Sequence, residues 1–187
     1  MGRTPRLLSM ALAGLLLGLG SAWYAITGGA GTAVAYGAWD FNPLVGSPAA
    51  GAWDRARVAR HALLGLTRDE AVYFVASRDS DGRTLSADAT YRVSGGDLPA
   101  RWWSITAYGA DHYLIPNDRD RYSFSSETVT RDADGAFAIL VSRRPRPGDW
   151  LPLGEAGRFD LFLRLYNPAG DPAADILPRI ERLDDDG

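Results

Sequence analysis

Two stretches hold most of the side chains that could bind or react: "RWWSITAYG", residues 101–109, and "GRFDLFLRLY", residues 157–166. Read as strands, neighbouring residues point to opposite faces of a sheet. In the first stretch Trp103, Ile105 and Ala107 then share an apolar face, while Trp102, Ser104, Thr106 and Tyr108 share a mixed one. The second repeats the design, with Phe159, Leu161, Leu163 and Leu165 on one side and Arg158, Asp160, Phe162, Arg164 and Tyr166 on the other. A third strand, "DATYRVSGG", adds Thr90 and Arg92.

If these mixed faces belong to one sheet, they form a surface of rings and guanidinium groups. Arginine grips carboxylates through two parallel hydrogen bonds, and flat rings stack on the apolar faces of sugars. Arg92, Trp102, Tyr108, Asp160, Arg164 and Tyr166 are therefore the candidate ligand-binding residues, for an anionic or sugar-like ligand. The competing reading covers this face with a helix or with the segment around Trp39 and ties the arginines into salt bridges. Asp160 and Arg164 must in either case be paired or wetted, because an unpaired buried charge costs several kcal/mol.

Catalysis is the second class of function. Tyr108 or Tyr166 could donate a proton while Arg164 neutralises a substrate carboxylate, the chemistry of a lyase or hydrolase on acidic polysaccharide. Asp160 and Glu70 are carboxylate candidates for acid–base work. No acid–base pair stands out, so the catalytic residues stay unassigned and a non-catalytic binding or assembly module is the favoured expectation.

Other chemistries lack their residues. The chain has no cysteine, which excludes disulfides, thiolate metal sites and thiol nucleophiles. Its two histidines, His61 and His112, are not spaced to share a metal, and Asp111–His112 reads as a turn. The runs "DSDGRTLSAD" and "DADG" lack the closing glutamate of a calcium loop and read as turns. No phosphate loop or nucleophile elbow is present. No metal and no cofactor are expected. A net charge of −3 provides no basic field for nucleic acid.

The elements that must position these residues follow from pattern. The 187 residues suffice for one domain and a short appendage. "LLSMALAGLLLGLGSAWYAI", Leu7 to Ile26, runs uncharged for about the twenty residues that cross a ~30 Å hydrocarbon layer. Arg3 and Arg6 precede it, and Trp23 and Tyr24 stand at its far end. This arrangement predicts a single-pass signal-anchor in a bacterial inner membrane, amino terminus cytoplasmic and the rest periplasmic or extracellular. The rival is a cleaved signal peptide, with "AVA" at 33–35 as its cleavage pattern.

Four parts are expected: a stub and anchor over 1–26, a flexible Gly-rich tether over 27–38, a β domain over 39–183 and an acidic tail over 184–187. "GSPAAGAWDRARVARHALLGL", residues 46–66, predicts one soluble helix, capped by Ser47, with Trp53, Ala56, Ala59, Leu63 and Leu66 as its apolar stripe. From Glu70 the period becomes two, through "EAVYFVASR", "YLIPN", "RYSFSSETVTR", "AFAILVSRR" and "ILPRIERL". Many short strands between Gly, Pro, Asp and Asn predict a mainly β, jelly-roll-like antiparallel sandwich with one flanking helix.

At "ATYRVSGGDLPARWWSITAYGADHYLIPNDRDRYSFSS" and "GDWLPLGEAGRFDLFLRLYNP" the chain resembles the domain-of-unknown-function family 1214. The resemblance runs from about Trp39 to Leu183. It implies a jelly-roll-like β domain that often lies carboxy-terminal to a companion, domain of unknown function 1254, and it implies no settled activity. Here an anchor is expected in the companion's place. The expected partners are the lipid bilayer, through Leu7 to Ile26, and an envelope glycan, acidic small molecule or protein; no nucleic acid is expected.

Overall fold

The structure, a computed structural model, describes residues 3–27, 33–60, 66–170 and 174–183. His61, Leu63, positions 28–32 of the expected tether and the acidic tail 184–187 lie outside the described residues. The chain runs through helix α1 (Arg3–Thr27), strands β1 (Val34–Tyr36) and β2 (Trp39–Phe41), helix α2 (Ala52–Arg60) and strands β3 (Ala71–Ala76), β4 (Thr90–Gly95) and β5 (Ala100–Gly109). Strands β6 (Ser123–Ser125), β7 (Phe137–Ser142), β8 (Trp150–Pro152), β9 (Phe159–Pro168) and β10 (Arg179–Leu183) follow.

The strands form two sheets, in the orders β1-β2-β3-β9-β5-β6 and β10-β4-β7-β8. All pairs are antiparallel except β7 and β8, which run parallel. The apolar faces predicted for β5 and β9 meet in one core with Phe74, Tyr91, Val93, Ile139, Val141, Leu151 and Ile180. Rings from the two sheets touch across it. Trp103 lies 4.8 Å from Phe137, and Tyr91 lies 5.7 Å from Phe159. The expected mainly β sandwich is thus the observed architecture, and the alternation of β5 and β9 is what drives its inner faces together.

Several elements differ from the sequence reading. Part of the expected tether is a hairpin, turned at Gly37 with φ of 64°, in which Tyr36 faces Trp39. Its aromatic residues draw it in: Tyr36 packs edge-on against Phe41 and Phe74. Trp39 is 1% exposed and its indole N–H donates to the Pro178 carbonyl at 2.7 Å. Trp39 therefore lies in the core, joining the margin of one sheet to the approach of the other, while Asp40, Asn42 and Val45 of the same segment line a cavity on the mixed face.

Helix α2 starts later than expected, at Ala52. Ser47 closes a turn instead of capping the helix, its Oγ accepting from the Ala49 N–H. The Asp54 carboxylate accepts from the Gly51 N–H and so caps the helix start in its place. Trp53, expected on a packed stripe, is 51% exposed. "YLIPN" forms a single bridge, Leu114 with Tyr108, and no strand. Asn117 breaks it: its side-chain amide donates to the carbonyls of Ile115 and Arg121 and accepts from the N–H groups of Arg119 and Arg121.

The two acidic turns behave as read. Asp79 Oδ1 accepts from the N–H groups of Asp81 and Arg83, and Asp132 Oδ1 from those of Asp134 and Ala136. Each aspartate spends its oxygen on its own loop backbone. His112 sits at positive φ in the turn after β5, with its N–H donating to the Gly109 carbonyl.

Candidate functional site

The outer face of the larger sheet brings together five of the six predicted residues. Register places Trp102 opposite Tyr166, Ser104 opposite Arg164, Thr106 opposite Phe162 and Tyr108 opposite Asp160. On the other side of β9, Tyr73 faces Arg164 and Val75 faces Phe162. Arg92 does not join them. It is exposed on β4, in the second sheet, between Glu181 and Leu140. Alternation says which face of a strand a residue takes, but not which sheet receives the strand, and that is where the prediction for Arg92 failed.

Arg164 is the centre of this face. Its Nη2 donates to the Tyr108 hydroxyl at 2.8 Å and its Nη1 to the Thr106 hydroxyl at 3.2 Å. The guanidinium carbon stands 5.3 Å from the Tyr108 ring centre and 5.5 Å from that of Phe162. These two rings meet edge to face at 4.8 Å. Trp102 and Tyr166 form a second, half-buried ring pair at 5.3 Å. Among the described residues no carboxylate bonds to Arg164. A guanidinium has five N–H donors, and hydroxyls occupy only two here. The result is a half-buried cation set among rings, with its charge uncompensated.

Asp160, four residues before Arg164 on the same face of β9, lines a cavity of about 370 Å³ together with Asp40, His112, Tyr73, Val75 and Phe162. Val58 of α2 and Val45 line that cavity as well, so the helix of the competing reading reaches this half of the face. Tyr73 is 6% exposed, and its hydroxyl has no hydrogen-bond partner among the described residues. Burial raises its pKa above the ordinary tyrosine value; the neighbouring Tyr166 adds to the rise and Arg164 opposes it. Glu70, the other carboxylate considered for acid–base work, accepts from the Thr67 N–H and hydroxyl. It lies by Asn167, at the far end of β9 from Asp160, roughly 20 Å along the strand. The two carboxylates do not form a pair.

One feature had no signal in the sequence. At the end of the sandwich a cleft of about 970 Å³ opens between the 109–119 loop and residues 150–158, flanked by Tyr113, Arg119, Arg143, Trp150, Glu155 and Arg158. Arg143 fixes one wall by donating to the carbonyls of Gly154 and Ala156 while pairing with Asp88 at 3.5 Å. Trp150 is anchored through its N–H to Ser142. Gly154, at φ of 46°, allows the walls to touch, since a Cβ there would meet the Pro116 carbonyl at 2.2 Å. The cleft is made by loops distant in the chain, so no local pattern announces it.

Known proteins add a family but no activity. No curated protein matches the chain. Among solved structures it is similar to the VPA0106 protein from Vibrio parahaemolyticus, with TM-score 0.61 and 26% identity over 73% of this chain. A putative uncharacterized protein from Burkholderia cenocepacia is similar at TM-score 0.47 and 17% identity, over 60% of this chain. The chain covers 36% and 29% of those two proteins, about a third of their length. The family model described as "Protein of unknown function (DUF1214)" matches residues 70–170, more than half of the chain and the segment that supplies strands β3 to β9 and with them the Arg164 face. The chain belongs to this family.

Proposed function

We propose that this chain is a single-pass, membrane-anchored protein of the bacterial cell envelope whose β domain is a non-catalytic binding module for an acidic envelope glycan. Helix α1 is long and apolar enough to cross a bilayer. The arginines before it and the rings at its end favour a cytoplasmic amino terminus, with the β domain in the periplasm or outside the cell. The observation that carries the binding reading is Arg164. Its charge is held by hydroxyls between aromatic rings and compensated by no described carboxylate, so a ligand carboxylate would find free donors and flat apolar surface together.

The test is binding of uronic-acid oligosaccharides by the full chain in nanodiscs, followed by calorimetry. Arg164→Ala is expected to weaken binding about tenfold or more, and Arg164→Lys by less, since an ammonium keeps the charge but loses the fork. A neutral oligosaccharide of the same length should bind weakly to both forms. Equal affinity of wild type and Arg164→Ala, with unchanged circular dichroism, would remove this reading.

A further inference from the structure

Among its described residues, helix α1 is covered by the rest of the protein only near its end. From Leu7 to Ser21 every residue is exposed, whereas Ala22, Ala25 and Ile26 are half-buried. Spacings of three and four put these three on one face of the last two turns. Helix α2 packs against α1. The β domain thus meets its anchor where the anchor finishes.

Length sets the depth of that meeting. The uncovered stretch from Leu7 to Ser21 rises about 22 Å, at roughly 1.5 Å per residue. A hydrocarbon layer is ~30 Å thick. Arg6 stands immediately before the stretch, and a charge there is held at the opposite surface of the membrane. With α1 across a bilayer, the apolar layer must therefore extend to about Ile26, the level at which the helix becomes covered. Helix α2 then lies at the bilayer boundary and not in open solvent.

Its composition suits that boundary. Helix α2 carries Arg55, Arg57 and Arg60 against one acid, Asp54, in a chain whose net charge is −3. Arg55 is exposed, and Trp53 in the first turn is 51% exposed. Trp23 and Tyr24 of α1 are exposed at the same level. Tryptophan and tyrosine rings favour the headgroup layer, and a cationic helix in that layer is drawn to anionic lipid.

We propose that α2 is a second membrane contact, lying in the headgroup layer beside the end of α1, where Trp53 seats at the boundary and the positive charge of the helix binds anionic phospholipid. The contact holds the β domain close against the bilayer. It rests on α1 crossing the membrane and is independent of Arg164 and its ligand.

The chain contains no cysteine, so single cysteines carrying a bimane dye report depth without background. Three full-length variants are placed in nanodiscs: Ala52→Cys on α2, Gly14→Cys within α1, where a side chain meets open space, and Ala133→Cys on the exposed loop before β7. Quenching is read with phosphatidylcholine spin-labelled at its headgroup or its acyl chain, in neutral nanodiscs and in nanodiscs with about one-third phosphatidylglycerol. The headgroup label is expected to quench Ala52→Cys at least about threefold more than Ala133→Cys, and more strongly in anionic than in neutral nanodiscs. Changing Arg55, Arg57 and Arg60 together to Gln should remove the anionic increment, as should roughly 1 M salt, whereas changing them to Lys should keep it. Trp53→Ser should lower the quenching about twofold. Quenching of Ala52→Cys no greater than that of Ala133→Cys, or equal in neutral and anionic nanodiscs, would overturn the α2 contact while a quenched Gly14→Cys leaves the anchor intact. A Gly14→Cys variant untouched by the acyl-chain label would overturn both.

Discussion

The Arg164 guanidinium donates to the Tyr108 hydroxyl at 2.8 Å and also lies over the Tyr108 ring, 5.3 Å from its centre. One tyrosine thus supports the same cation through its oxygen and its π face. Tyr108→Phe separates the two, keeping the ring and deleting the acceptor. The expected cost is about 1 kcal/mol of stability, seen as a lower melting temperature by circular dichroism in detergent. Binding of an acidic oligosaccharide should survive this variant better than Arg164→Ala, because the charge remains.

Tyr73 offers the opposite case, a buried hydroxyl with no hydrogen-bond partner among the described residues. Tyr73→Phe should therefore stabilise the ligand-free protein by roughly 1 kcal/mol, a rise of about 3 °C in melting temperature. The pH dependence has a definite sign. In the unfolded chain this phenol loses its proton near pH 10; in the folded protein burial raises that point. Between the two the folded state holds a proton that the unfolded state has released. Its contribution to stability is full below about pH 10 and is lost as pH rises through the raised value. Alkaline melting curves of Tyr73→Phe should lack that part of the decline; identical slopes would contradict the assignment.

Trp39→Phe tests the clamp at the margin of the sandwich. The substitution leaves a void at a residue only 1% exposed and removes the donor to the Pro178 carbonyl. A loss of roughly 2–4 kcal/mol is expected from cavity and hydrogen bond together. Hydrogen exchange should show protection falling first in β2 and in the segment leading to β10.

The proposed topology can be read without background, since the chain contains no cysteine. Single cysteines at Gly2 and at Ala133, an exposed loop position, give two reporters. In intact bacterial spheroplasts a membrane-impermeant maleimide should label Ala133→Cys and spare Gly2→Cys until the membrane is broken. The reverse pattern would invert the anchor.

What could be read from sequence follows the reach of each signal. Alternation along β5 and β9 is local, so Trp103 and Leu163 could be placed inside, and Trp102 and Arg164 outside, before any pairing was known. Sheet membership is not local, and Arg92 shows the consequence: its face was right and its sheet was not. The hairpin of β1 and β2 was hidden because three-residue strands are too short for a period to register. Its anchor, the Trp39 bond to Pro178, spans almost the whole domain. Helix α2 was started too early because Ser47–Pro48 imitates a helix start that Asp54 supplies later. The two aromatics of the Trp102–Trp103 pair are now accounted for: one indole is in the core against Phe137, the other outside against Tyr166.

Strand β9 stands between β3 and β5, with Leu165 opposite both Val72 and Trp103. Two strands made early must wait for one made late before the larger sheet can close. Pairing over such separations is slow, and an unpaired edge accepts any matching strand. A protein tethered by its first helix would wait in a crowded plane, where the nearest spare β9 belongs to a neighbour. Strand exchange between copies is the assembly error to which this order of synthesis exposes the fold.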